Sequence, residues 1–325
     1  VSETVPKTTR QFDDPQQEQR VRAAWIYYVE GRTQKEVSEE LGINRVAVTR
    51  LLSEAKRRNE VTISINSSLG ELIGLERALE RKFGLERAVV APRHSTSQDP
   101  TKLVAAAAGR YISSVLEPNM TVGLGWGRTL YTTLGFLQAR PVANLKVVSL
   151  LGGISEARRY NPSEFAWQFA EYFDAEGYLV PAPALVDSPE TRSTLLERCG
   201  LDQVFQMADA SDIAFISCGG ISTLNTSYRV GHVSEAERSS LIKAGAVGDV
   251  LYNFLDEHGK PVNHSINSRC MSFDVDRLQN IPKRVLISGG EEKIAILKAS
   301  INSIKPTVLI TDEQTALTLE ASDAA

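Results

Sequence analysis

The sequence reads as an α/β protein in two parts: an N-terminal all-α helix-turn-helix domain, then a doubly wound, mostly parallel sheet domain. Three observations carry that reading. Residues 33–58, TQKEVSEELGINRVAVTRLLSEAKRR, have the period and punctuation of two short helices around a tight bend. From residue 88 onward, apolar runs of strand length alternate with helical patterns. A chain of 325 residues with 42% apolar content is also long enough to bury more than one core.

Taken in order, residues 1–15 are polar and without periodicity, and are expected to form a mobile tail. The helix-turn-helix domain is placed at 16–59. A first helix over about 16–30, carrying Val21, Ala24, Trp25 and Tyr28, completes a three-helix unit. In the motif, Val37, Ser38, Leu41, Ile43, Val48 and Leu51 fall where two short helices would press together; Val37 and Leu41 are one turn apart and share a face, while Ser38 is small enough to let the next helix approach. Gly42 supplies the positive φ that ends one helix, and Asn44 caps the next. That helix, about 45–58, is expected to bury Val48, Leu51, Leu52 and Ala55. Its other face presents Arg45, Val46, Thr49, Arg50 and Ser53.

Such a face suits a DNA major groove. Asn44, Arg45 and Thr49 near the helix start are placed to reach base edges, while Arg50 and Lys56-Arg57-Arg58 are placed for phosphates. From Asn44 to Arg58 there are five basic residues and a single acid, Glu54. The partner implied is double-stranded DNA.

A linker is placed at 60–70 and the large domain at 71–325, opening with an amphipathic helix over 71–83. Strands are expected at 88–91, 120–124, 146–150, 178–180, 213–217, 285–288 and 308–311. Helices are expected at 102–116, 129–137, 163–173, 235–244 and 291–301. Asp312 and Glu313 open a last helix. Short apolar strands each followed by a helix imply a parallel sheet covered on both faces.

Composition limits the function. A net charge of −4 argues against a general nucleic-acid coat, so DNA affinity must come from the local basic helix and from more than one copy of it. Cys199, Cys218 and Cys270 have neither CxxC spacing nor a histidine nearby, and read as buried thiols in a reducing compartment, not a metal site. No run approaches the roughly 18 apolar residues of a membrane span, so a cytoplasmic protein is expected, and Asn225-Thr226-Ser227 carries no meaning for glycosylation.

In open parallel sheets ligands bind beyond the carboxyl ends of the strands. Four such ends carry glycines: Gly123, Gly125 and Gly127 around Trp126, Arg128 and Thr129; then Gly152-Gly153; Gly219-Gly220; and Gly289-Gly290. Glycine lets a backbone approach a ligand closely, and a helix start supplies free N–H groups, which together suit a phosphate or a cluster of hydroxyls. The first loop lacks the Gly-Lys-Ser/Thr ending of a P-loop and the GxGxxG of dinucleotide folds, so a nucleotide cofactor is not expected.

The helix-turn-helix, GLGWGRTL at 123–130, AVGDVLYNFLDEHGKPV at 246–262 and SGGEEKIAILKASI with VLITDEQTALTL near the end resemble the SorC/DeoR-type transcriptional regulators of bacteria. The resemblance spans nearly the whole chain. It implies a sugar-binding domain similar to phosphosugar isomerases, a homo-oligomer, commonly a tetramer, and a grip on operator DNA that changes when a sugar, polyol or sugar phosphate binds. Carried onto this chain, the effector pocket includes Gly125 to Thr129 and Gly152-Gly153. Asp249 matches the family's acidic position, and Lys293 a family lysine able to pair with an anionic group. Asn267 and Arg269 are further candidates, Arg269 alternatively bracing a loop through a buried ion pair.

Isomerase or deaminase chemistry is the alternative. It needs a poised acid–base group. None of His94, His232, His258 and His264 falls in the glycine loops, and Leu151 stands where a lysine would be needed for an imine. A binding domain that kept the pocket without the chemistry is therefore expected, with no catalytic residues and no metal.

Overall fold

The computed structural model describes residues 15–61, 69–92, 99–154, 160–229 and 231–322. Most of the expected tail and linker, and His94, lie outside the described residues. The chain divides into two compact units, one ending at Ile65 and one beginning at Asn66.

The first unit holds α1 (Pro15–Tyr28), α2 (Gln34–Leu41) and α3 (Arg45–Arg57). Thr33 starts α2 with a reciprocal capping box: its hydroxyl accepts from the Glu36 amide at 3.3 Å, and its own amide donates to the Glu36 carboxylate at 2.8 Å. Gly42 ends α2 at φ 64°, and Asn44 caps α3 by accepting from the Ala47 amide at 2.8 Å. Gly42 and Asn44 act where the sequence placed them, and the Thr33 cap is added by the structure. Ala23, Ala24, Ile26, Val37, Val48, Leu52 and Ala55 form the core. Two expectations need correction: Leu51 is only half-buried, and Trp25 is 57% exposed. Small Ala23 and Ala24 occupy the packed side of α1 instead, and the indole, too large for that contact, faces outward. Arg20, buried, closes the unit on Glu60 with hydrogen bonds of 2.9 and 2.7 Å.

The second unit contains ten strands: β1 (Arg87–Ala91), β2 (Thr121–Leu124), β3 (Lys146–Gly153), β4 (Glu176–Pro183), β5 (Ile213–Ile216), β6 (Cys218–Gly220), β7 (Gly248–Val250), β8 (Asn253–Leu255), β9 (Lys283–Ile287) and β10 (Val308–Asp312). Seven form one wholly parallel sheet in the order β1-β10-β9-β5-β2-β3-β4. Alternate residues of each strand feed opposite faces. Val122, Leu124, Ile213 and Phe215 join one core with Val104, Ile112, Phe165 and Phe169, whereas Ala214, Ile216 and Leu286 join the other with Leu79, Phe205, Leu241 and Leu297. The helices that cover these faces are α4 (Leu69–Phe83), α5 (Thr101–Val115), α6 (Arg128–Thr133), α7 (Pro162–Tyr172), α8 (Pro189–Glu197), α9 (Asp202–Asp209), α10 (Thr226–Arg229), α11 (Glu235–Lys243), α12 (Ser265–Arg269), α13 (Ile294–Ile304) and α14 (Glu313–Ala321). Asp312 caps α14 through the Thr315 amide at 3.0 Å, as expected.

An antiparallel sheet, β6-β7-β8, was not expected. Its hairpin turns through Leu251 and Tyr252 at φ 53° and 62°. That geometry normally calls for Asn-Gly, so Leu-Tyr carries no turn signal there. Gly219-Gly220 accordingly close the short strand β6, just past the end of β5. Cys199 is exposed, correcting the expectation of three buried thiols; Cys218 and Cys270 are buried.

Candidate functional site

From β2 the chain steps outward through β3 to β4, then returns to β5 on the other side of β2 and continues through β9 to β10. The loops after β2 and β5 therefore leave in opposite directions, opening a crevice between them. It is lined by Trp126, Gly127, Arg128 and Thr129 after β2, by Ser217 to Gly220 after β5, and by Asn225, Asp249 and Lys293. Its interior is small, about 40 Å³, and opens to solvent.

Asp249 lies on its wall, 5% exposed. The Asn225 side-chain amide donates to its Oδ1 at 2.9 Å, and the Tyr252 backbone N–H donates to Oδ2 at 3.1 Å. Burial pushes the Asp249 carboxyl up to about 6, against those two hydrogen bonds and the Lys293 charge, which pull it down. Asn225 is itself fixed, donating to the Gly220 carbonyl at 2.5 Å and accepting from the Ser227 amide and hydroxyl at 2.7 and 2.6 Å. Gly219 sits under this pair. A Cβ there would stand 2.7 Å from Asn225 Nδ2 and 2.8 Å from Asp249 Oδ1.

Tyr252 connects several of these parts. Its buried ring stacks on Trp126 with centroids 5.0 Å apart and planes 14° apart, and its hydroxyl meets His232 Nδ1 at 2.9 Å. Two successive bulky residues at positive φ are costly, and this packing offsets that strain. At the mouth, Arg128 pairs with Asp99 at 2.9 Å. Lys293 makes no ion pair among the described residues.

On the first unit, Asn44, Arg45, Val46, Thr49, Arg50 and Ser53 share an exposed surface; Val46 is 71% exposed. Arg45 and Arg50 have no ion-pair partner among the described residues. The other three cations are engaged. Arg57 and Arg58 both bind Glu54, Arg57 at 2.8 and 2.5 Å and Arg58 at 2.6 Å, and Lys56 lies 5.2 Å over the Tyr28 ring. These contacts hold the Glu54 carboxyl down at about 2.

Residues 67–319 match the family described as "Putative sugar-binding domain". The chain is 30% identical over 310 residues to the transcriptional regulator LsrR of Klebsiella pneumoniae, covering 91% of this chain and 90% of that one. This chain belongs to the SorC/DeoR-type sugar-binding transcriptional regulators. It is 28% identical over 301 residues to the erythritol catabolism regulatory protein EryD of Brucella abortus, covering 92% of this chain and 95% of that one. The crystal structure of the full-length sorbitol operon regulator SorC from Klebsiella pneumoniae superposes with a TM-score of 0.69 at 26% identity, over 94% of this chain and 100% of that one. No helix among the described residues is long and apolar enough to cross a membrane.

The other pocket candidates of this SorC-type regulator lie off the cleft wall. Gly123 is buried within β2, and Gly125 lies under Leu251, its amide on the Phe215 carbonyl at 2.9 Å. Gly152 serves the irregular β3–β4 pairing: a Cβ would come within 2.5 Å of the Ala182 carbonyl. A Cβ on Gly153 would meet Ser163 Oγ at 2.7 Å. Gly289 abuts the Asp312 carboxylate, and the Gly290 amide donates to Asp312 at 3.0 Å and to Thr315 at 2.9 Å. Asn267 holds the Phe254 amide at 2.8 Å and the carbonyls of Phe254 and Val262 at 3.0 and 2.8 Å. Arg269 braces its loop through Glu237 at 3.3 Å, the alternative raised for it from sequence. Sequence reasoning did not single out Asn225, met only in Asn225-Thr226-Ser227, or Tyr252, met only within the stretch 246–262.

Proposed function

We propose that the cleft between the β2 and β5 ends binds a carbohydrate effector, a sugar, polyol or sugar phosphate, and that its occupancy alters the affinity of α3 for operator DNA. The buried Asp249 carboxylate carries this reading. It is an acceptor with fixed orientation, raised by burial, that hydroxyl donors of a ligand would stabilise. Thr129 and Gly127 line the same cleft, and Lys293 and Arg128 offer cations for an anionic group. Arg45, Val46, Thr49 and Arg50 read bases and backbone, with Asn44 and Ser53 beside them, while Lys56, Arg57 and Arg58 meet phosphates only by giving up their present partners. Assembly into a homo-oligomer, a tetramer in this reading, presents paired α3 helices to successive major grooves.

Asp249 and its raised carboxyl also suit proton transfer, which keeps isomerase or deaminase chemistry as a second reading. Both of its oxygens already hold protein donors, and His232 is turned to Tyr252, so binding without turnover is favoured. A thermal-shift screen against sugars, polyols and their phosphates tests the proposal. A stabilising compound is expected for the native chain and is expected to be lost in Thr129→Val, with DNA affinity retained. Conversion of that compound on incubation would favour the second reading, and equal stabilisation of Thr129→Val would remove that loop from the site.

A further inference from the structure

Asp99 lies just ahead of α5, and its Oδ1 accepts from the Thr101 amide at 3.0 Å, which fixes the carboxylate to its own helix start. The same carboxylate faces the Arg128 guanidinium fork, Nη1 to Oδ2 at 2.9 Å and Nη2 to Oδ1 at 3.3 Å. Two parallel bonds of this kind occupy the Nη1/Nη2 edge of Arg128, an edge with which a guanidinium grips a phosphate or carboxylate. Arg128 lines the cleft. The pair is 32% and 53% exposed, so it is weak enough for an incoming anion to displace. Partial burial raises the Asp99 carboxyl, but the Thr101 hydrogen bonds and the charges of Arg128 and Lys293 hold it below its ordinary range, so it remains an anion at neutral pH.

We propose that Asp99 is a specificity-determining residue, a built-in anion that occupies Arg128 in the empty cleft. An anionic ligand then gains only the difference between its own contact and that of Asp99, while a neutral carbohydrate leaves the pair intact. The biological meaning rests on the cleft being a carbohydrate site, but the competition for Arg128 can be measured with inorganic phosphate alone. In the full chain, Asp99→Asn keeps an oxygen for the Thr101 amide and removes the charge; Asp99→Ser is a second variant that can also cap, should the first fail to fold.

Phosphate is titrated by calorimetry against chloride at matched ionic strength. Asp99→Asn is expected to bind it about three- to tenfold more tightly than the native chain, and the gain is expected to vanish in Asp99→Asn combined with Arg128→Gln. Equal affinity in native chain and variant, binding by neither, or a gain that survives the loss of Arg128 overturns the proposal. If the phosphate result holds while no carbohydrate stabilises either protein, the competition stands and the carbohydrate reading falls.

Discussion

At the ends of β2 and β5 the glycines border an open cleft and polar side chains, whereas at the ends of β3 and β9 they border the protein's own backbone and a helix cap. Gly219 makes room for Asn225 and Asp249 to converge, while Gly127, where a Cβ would meet nothing closer than Ser217 at 3.9 Å, is required by its φ of 124°. Gly152 makes room for the Ala182 and Pro183 carbonyls, and Gly289 for the Asp312 carboxylate. Gly219, Gly152 and Gly289 satisfy the same local need, a close approach that a Cβ would forbid. The difference lies in what approaches, and only the sheet order decides that: the β2 and β5 loops diverge at the reversal of strand order, and the others do not.

Substituting one glycine of each kind should separate the two roles. Gly152→Ala drives a Cβ into two backbone carbonyls that cannot rotate away. A loss of about 3 kcal/mol is expected, a fall of roughly 6–12 °C in thermal midpoint, with effector affinity of the surviving folded protein little changed. Gly219→Ala meets side chains instead, which can move. Its midpoint should fall by a few degrees at most, while effector affinity falls about tenfold or more because Asn225 and Asp249 leave their positions. Calorimetry and melting on the two variants check both, and a reversed pattern would show the glycine roles to be exchanged.

Asp249→Asn sharpens the comparison through pH. Burial raises the folded carboxyl to about 6 from the ordinary 3.8. Below about pH 4 it is neutral in the folded and unfolded chain alike, so its burial carries no charge penalty. As pH rises past that point the unfolded chain ionises first, and stability is lost until the folded carboxyl ionises too. Asparagine carries no such penalty. The stability of the variant relative to the native chain should therefore rise between pH 4 and pH 7, by on the order of 2–3 kcal/mol, as melts across that range would show; a flat difference would mean that Asp249 is not strained by burial.

Much of the fold was legible because its local signals agree with one another. Gly42 and Asn44 punctuate the helices of the first unit, and four- to six-residue apolar runs marked the parallel strands. The rest was hidden for physical reasons. The β7–β8 hairpin turns through Leu-Tyr, held by the local bond from the Tyr252 amide to Asp249 and by the stack on Trp126, a contact between residues distant in sequence. Ser188 and Pro189 do announce α8, the one as cap and the other at the first helical position, but its short and weakly apolar pattern did not stand out. In the site, the residue types of the cleft were readable from GLGWGRTL and GDV, but not which glycine pairs were structural. Asn225 and Asp99 act through side-chain geometry that carries no periodic signal.

The most direct test is the affinity of the full chain for the DNA upstream of its own gene, measured by fluorescence anisotropy with and without a carbohydrate that raises its melting temperature. The account predicts dissociation constants that differ by at least about fivefold, with the difference abolished in Gly219→Ala. Equal affinity with and without the carbohydrate, or no preference for that DNA over random sequence, would contradict it.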